Sequence, residues 1–324
     1  AIAAANSFRA RFAEGEAARI GAASLPVVLF LKGRALHESG EHDGALEVFR
    51  TVYREFPDSG VAGNALFMQG IVLLAIDRNA EAIALFEDMR RELPDHKLVD
   101  DAFYWQGMGY SFSGEHGRCR SHLANYLQRF PAGRYVPDAT FRRGFASFAS
   151  ADYESAVVEL RSYLAEFDGD GYNDEARLLL GDALFALGEI DEGIIAYRAI
   201  SPTSVRFYED GWFKIGKAFK LRKQYPEMRA HYGEFVDRWA DSGRMAEAVY
   251  WIGWAHSAEG APGKAREIYW ETIREHGDRA DLYGIAELCD GLQKLYGRGG
   301  RRDLSLQFGR LGSEARIAQQ RTLE

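Results

Sequence analysis

Three short stretches carry the residue types that hold metal ions. His37-Glu38 and His42 bring two imidazoles and a carboxylate close in sequence. Their spacing does not put two histidines on one helical face with a glutamate between them. His116-x2-Cys119-x2-His122 does fit one helix, but Cys119 falls at a small-residue core position, so the expectation is a buried cysteine flanked by surface histidines. Asp168-Gly-Asp170-Gly-Tyr172-Asn173-Asp174 resembles a calcium loop in outline only. Tyr172 stands where an Asp or Asn is required, and no glutamate closes the loop; turn and helix-cap chemistry accounts for it. Nucleophilic catalysis has no Gly-x-Ser-x-Gly to rest on, nor is there a phosphate-cradling glycine loop. The expectation is a chain without catalytic residues, cofactors or metal ligands.

Composition narrows the partners. The 324 residues are 47% hydrophobic and 27% charged, ordinary globular usage. A net charge of -8 and a pI near 5.6 argue against nucleic-acid binding through a broad basic surface. Cys119 and Cys289 are the two cysteines, too few for a disulfide framework. No apolar run approaches the roughly 20 residues that a membrane span needs.

The elements that position everything else show as a repeat. Glycines recur at Gly33, Gly70, Gly107, Gly144, Gly181, Gly216 and Gly253, at steps of 37 except for one of 35. Twelve residues on runs a small-residue column, Ala45, Ala82, Cys119, Ala156, Gly193, Met228 and Ala265. Four further on come Phe49, Phe86, Leu123, Leu160, Tyr197, Tyr232 and Tyr269. Such periods mean stacked helical hairpins. The glycine is expected to let the two helices of a hairpin approach, a Cβ there striking the facing backbone, and the aromatic column to fill the space between hairpins. Pro57, Pro94 and Pro131 stop the second helix, because proline lacks the donor N–H and clashes with the preceding turn. Gly40, Gly114, Gly188 and Gly260 suit the left-handed position that ends a helix.

These columns resemble the tetratricopeptide repeat family. Trp212-x2-Ile215-Gly216-x2-Phe219 matches the first half of its pattern, and Ala82-x3-Phe86 followed by Pro94 matches the second. The resemblance implies an all-α fold, a right-handed α-solenoid of about seven helix-turn-helix units at residues 26–62, 63–99, 100–136, 137–173, 174–208, 209–245 and 246–277. Residues 1–24 would form an N-terminal capping helix, 25–277 the repeats and 278–324 C-terminal capping helices. Family units have ~34 residues, and the three extra residues here follow the proline, where Ser59 is the expected N-cap. Lengthened units of this kind resemble the outer-membrane assembly lipoprotein and Tol-Pal-associated periplasmic coordinator families. That likeness implies a periplasmic or cell-envelope location, with the cytoplasm as the alternative.

The ends read as caps. Phe8 and Phe12 lie one turn apart in an expected helix that closes near Gly21, after an Ala-Ile-Ala-Ala-Ala start composed like the tail of a cleaved signal. Residues 279–296 read as a helix, and Gly297 to Gly300 as a break. Leu304, Phe308, Leu311, Ala315 and Ala318 mark one stripe of a last helix. Arg298, Arg301 and Arg302 read as a solvated loop, with an anion site as the alternative.

In the resembled family the first helix of each unit lines the concave face. Projected onto it are Phe30 and Arg34, then Phe67, Met68 and Ile71, then Trp105 and Met108, Phe145 and Phe148, Leu178, Leu179 and Phe185, and finally Trp251 and Trp254. Tyr104, Phe141, Phe213 and Tyr250 are expected in the core instead. A second apolar face on helices that already pack through one points to a partner. Lys214, Lys217 and Lys220 form the one concentrated positive strip, a solvated face or a site for an acidic segment. Phe30, Arg34 and Met68 stand where a chaperone-tail carboxylate clamp needs Lys and Asn, which excludes that mode. The resulting expectation is a non-catalytic scaffold that binds a peptide or helix of a protein partner in an aromatic groove, without nucleic acid. The alternatives are a polysaccharide- or peptidoglycan-associated protein, with Trp105, Tyr250, Trp251 and Trp254 stacking on sugar rings, and a cytoplasmic peptide-sensing regulator.

Overall fold

The structure, a computed structural model, describes residues 16–277 and 284–323; Phe8 and Phe12 lie outside them. Sixteen helices and no strand occur among the described residues. The first nine are α1 (Glu16–Glu38), α2 (His42–Glu55), α3 (Ala62–Ala75), α4 (Asn79–Glu92), α5 (Val99–Phe112), α6 (His116–Arg129), α7 (Val136–Ala149), α8 (Tyr153–Glu166) and α9 (Asn173–Ala186). They belong to a compact unit that ends at Glu189, and a second begins at Ile190. The second holds α10 (Ile190–Arg198), α11 (Val205–Leu221), α12 (Tyr225–Arg238), α13 (Met245–Ala258), α14 (Pro262–His276), α15 (Ile285–Arg298) and α16 (Arg302–Leu323). The division falls inside the one repeat that steps by 35, whose second helix, α10, has 9 residues where α8 has 14.

Within each unit the helices pack mainly on their neighbours in sequence. Second helices bury one stripe, such as Ala82, Phe86 and Met89 of α4. First helices bury most of their circumference, as α3 does with Ala65, Leu66, Phe67, Val72, Leu73 and Leu74. The column glycines explain the close packing, for a reason different from the expected one. A Cβ on Gly33 would lie 2.6 Å from Phe49, one on Gly70 2.5 Å from Phe86, and one on Gly107 2.6 Å from Leu123. The obstacle is the aromatic column of the same hairpin, not facing backbone. That column therefore fills its own hairpin, lying across the glycine, and does not merely space one hairpin from the next.

Gly40, Gly114, Gly188 and Gly260 take positive φ between 72° and 85°. At the same phase Asp77, Ala151 and Lys223 sit near 58°, so the turn is imposed by the hairpin even where a Cβ makes it costly.

Ser59 is not a cap. Val61 occupies the N-cap of α3 without a side-chain bond. The chain turns instead through Ser59 N–H to the Phe56 carbonyl and Ala62 N–H to the Ser59 carbonyl, both 3.0 Å. The same pair of bonds recurs at 93–99, 130–136, 167–173 and 239–245. The extra three residues thus build a rigid step whose last residue packs back on the preceding first helix. Tyr135 stacks on Tyr104 at 4.0 Å, Tyr172 on Phe141 at 4.6 Å, and the Arg244 guanidinium lies 3.7 Å over Phe213.

The N-terminal end differs from the expected cap. No helix end falls near Gly21, because α1 runs through it and through Pro26, with Leu25 and Leu29 already buried in the first hairpin's core. At the other end α15 and α16 pair as a further hairpin. Phe308 is buried and stacks on Tyr296, Gly291 packs on Tyr269, and Arg316 holds Asp290 at 2.9 Å. Of the expected stripe, Leu311 stays exposed.

Candidate functional site

The metal leads resolve into structural contacts. Cys119 is buried, and His122 turns its Nε2–H to the Phe103 carbonyl at 2.8 Å. Burial pushes the His122 imidazole down to about 4. Asp170 accepts from the Tyr163 hydroxyl at 2.6 Å and from the Tyr172 N–H at 3.1 Å, which is turn chemistry. His37 and His42 share a hydrogen bond between their Nδ1 atoms at 3.2 Å.

Of the expected groove residues in the first unit, Phe67 and Met108 are only 8% and 4% exposed and cannot meet a partner. Phe67 packs against Phe86, the ring that lies across Gly70. Met68, Ile71, Trp105, Phe145 and Phe148 are half-buried. Trp105 donates its Nε1–H to the Tyr135 hydroxyl at 3.2 Å and meets Tyr104 edge-on at 5.5 Å. Its indole is a strut between consecutive hairpins. Tyr104, Phe141 and Phe213 are core, as expected, but Tyr250 is half-buried and opens onto a cleft.

The second unit arranges the same columns differently. Trp251 and Trp254 on α13 are half-buried and meet at 6.0 Å. From α11 the Lys220 Nζ reaches 4.4 Å from one ring centre and 4.6 Å from the other, a double cation–π contact. Burial lowers the Lys220 ammonium below the ordinary lysine value, and Lys217 lowers it further. The three lysines do not act as one strip. Lys217 is exposed, Lys214 is half-buried and engaged, and Lys220 lies on the indoles.

Beside Trp254 a cleft of about 400 Å³ runs between α13 and α15. Tyr250 and Tyr269, stacked at 5.8 Å, form part of its wall, and Lys294 and Arg298 line it from α15. No acidic side chain lines it. First-unit clefts are different. The one between α4 and α6, about 690 Å³, carries Glu87, Glu115 and Arg118, with Glu115 and Arg118 paired at 2.8 Å.

Residues 1–60, 30–97 and 141–204 match the tetratricopeptide repeat family. The chain carries tetratricopeptide repeats. A tetratricopeptide repeat protein from Parabacteroides merdae has the same fold at 14% identity, covering 81% of this chain and 98% of its own, with a TM-score of 0.52. The C-terminal part of a repeat-containing protein from Cytophaga hutchinsonii aligns at 14% identity over 78% and 98%, with a TM-score of 0.57. Among curated proteins none matches the chain in sequence. Stacked repeats present extended surfaces to other proteins, so the coarse role of this chain is that of an interaction scaffold. No described helix is long and apolar enough to cross a membrane.

Sequence reasoning missed Lys294, read Arg298 as loop where it stands on the last turn of α15, and missed Tyr225, whose ring meets Trp254 at 5.9 Å. A signal for the first two existed. Residues 294 and 298 lie one turn apart, and the expected helix over 279–296 needed only to run two residues further to place both on one face.

Proposed function

We propose that the second unit holds a segment of a partner protein against the face built by Lys220, Trp251 and Trp254. The observation that carries this reading is the pair of half-buried indoles under one ammonium group. The glycine and tyrosine columns already pack α13 against α14, through Gly253 and Tyr269, so the indoles are surplus to hairpin formation. Each large apolar side chain that becomes fully buried contributes roughly 1.5–3 kcal/mol, and aromatic anchors beside a cation suit a protein ligand. Sugar stacking ranks second: Lys220 covers one face of each indole, and Trp105 is tied to Tyr135. An envelope location, as the lengthened repeats suggest, belongs to the same reading, and cell fractionation tests it.

The test is co-purification with and without Trp251→Ala/Trp254→Ala. The double variant should lose its specific partner while helix content by circular dichroism stays unchanged. Retention of that partner would place the interaction elsewhere.

A further inference from the structure

We propose that the cleft between α13 and α15 receives an acidic segment of a partner protein, with an apolar side chain against Tyr250, Trp254 and Tyr269 and carboxylates on Lys294 and Arg298. This inference rests on the reading that the second unit is the partner-binding part, and it names the chemistry of the partner.

Charge is the first argument. The chain carries 48 acidic against 40 basic residues, yet the cleft is lined by two cations and no carboxylate. Of the acidic groups nearest the lining in sequence, Asp290 pairs with Arg316, Asp303 with Arg301 and Glu259 with Arg229, while Glu287 stands three residues before Asp290 and outside the lining. Lys294 and Arg298 are exposed and have no ion-pair partner among the described residues. Elsewhere arginines pair locally, as Arg244 does with Asp210 and Glu247 and Arg177 with Asp174. Two neighbouring uncompensated cations on a half-enclosed surface raise the local potential and attract anionic groups.

Shape and apolar lining are the second argument. About 400 Å³ lies at the lower end of binding-cleft sizes and suits a side chain or two, not a folded domain. The stacked Tyr250–Tyr269 pair and Trp254 offer an apolar wall, and the Tyr269 hydroxyl is satisfied by the Tyr250 carbonyl at 2.8 Å. The wall therefore takes an apolar group without stranding that donor. Lys294 and Arg298, one turn apart, leave the helix from Cβ atoms at the roughly 5–6 Å spacing of helical neighbours, a spacing that acidic residues one turn apart on a partner helix, or two apart on an extended strand, can match.

The probe is a fluorescein-labelled peptide with one phenylalanine between pairs of glutamates in a Gly/Ser background, read by anisotropy on the full chain. Its glutamine counterpart, inorganic sulfate and free glutamate serve as competitors. The acidic peptide should bind about tenfold more tightly than the glutamine one, the worth of two exposed ion pairs. That advantage should fade with rising salt. Lys294→Glu/Arg298→Glu should remove it, and Lys294→Gln/Arg298→Gln should reduce it, with unfolding midpoints unchanged in both. Absence of binding, equal binding of the glutamine peptide, or competition by sulfate as strong as by the acidic peptide would each overturn the proposal. Loss of the partner in the tryptophan double variant together with no effect of charge reversal would leave the indole face standing and remove only the acidic cleft.

Discussion

Trp105 and Trp251 stand at the same place in their repeats, two residues before the column glycine, and different groups meet them there. In the first unit Trp105 gives its N–H to Tyr135, and the adjoining Met108 is buried. In the second, Trp251 and Trp254, half-buried like Trp105, rest under Lys220, and Trp254 borders a cleft. Charges follow the same division. Glu159, 7% exposed, accepts from Arg120, Arg143 and Ser147 in the first unit, whereas Lys294 and Arg298 have no ion-pair partner among the described residues of the second. A repeat column thus sets where a side chain starts. The residue that reaches it from the neighbouring hairpin decides whether it becomes packing or surface.

The largest effect should come from Glu159→Ala. Two part-exposed arginines and the Ser147 hydroxyl would lose a buried acceptor, at about 3 kcal/mol because Arg120 keeps Asp152, whereas Lys294→Ala/Arg298→Ala should shift stability by less than about 0.5 kcal/mol. Urea unfolding of the three proteins measures both, and equal losses would erase the contrast. Trp105→Ala should follow at about 2–3 kcal/mol, through lost packing, the Tyr135 hydroxyl keeping its bond to Asp101. Trp251→Ala should cost visibly less in the same titration.

Acid sharpens the comparison next. Burial holds His122 at about 4 in the folded chain, while an unfolded histidine titrates near 6.5. Between those values the unfolded chain binds more protons, so stability falls as pH drops, by up to about 1.4 kcal/mol per pH unit for this group. His231, also lowered by burial, adds to the loss in the second unit. Replacing His122 with Gln should flatten the profile of the first unit between about pH 6.5 and 4, as seen by thermal unfolding at stepped pH. A gain comes last: Ala151→Gly relieves a positive φ of 58° and should raise stability by about 1 kcal/mol, with Gly40→Ala the matching loss.

The periodic columns made the hairpins legible, since each column corresponds to a contact that every hairpin repeats. Contacts that cross from one hairpin to the next were not. Tyr135 on Tyr104 and Arg244 on Phe213 join positions 31 residues apart whose residue types change from unit to unit. Ser59 misled because its preference for caps is local, while a recurrent double turn sets the helix start. Tyr250 read as core from its column, and only the neighbouring α15 shows that it borders a cleft.

A photo-crosslinking residue in place of Trp254, compared with one in place of Trp105, tests the central claim most directly. The second unit's position should trap a partner protein, with trapping reduced by salt, while the first unit's position traps none. Equal trapping from both positions, or trapping from Trp105 alone, would contradict the assignment of partner binding to the second unit.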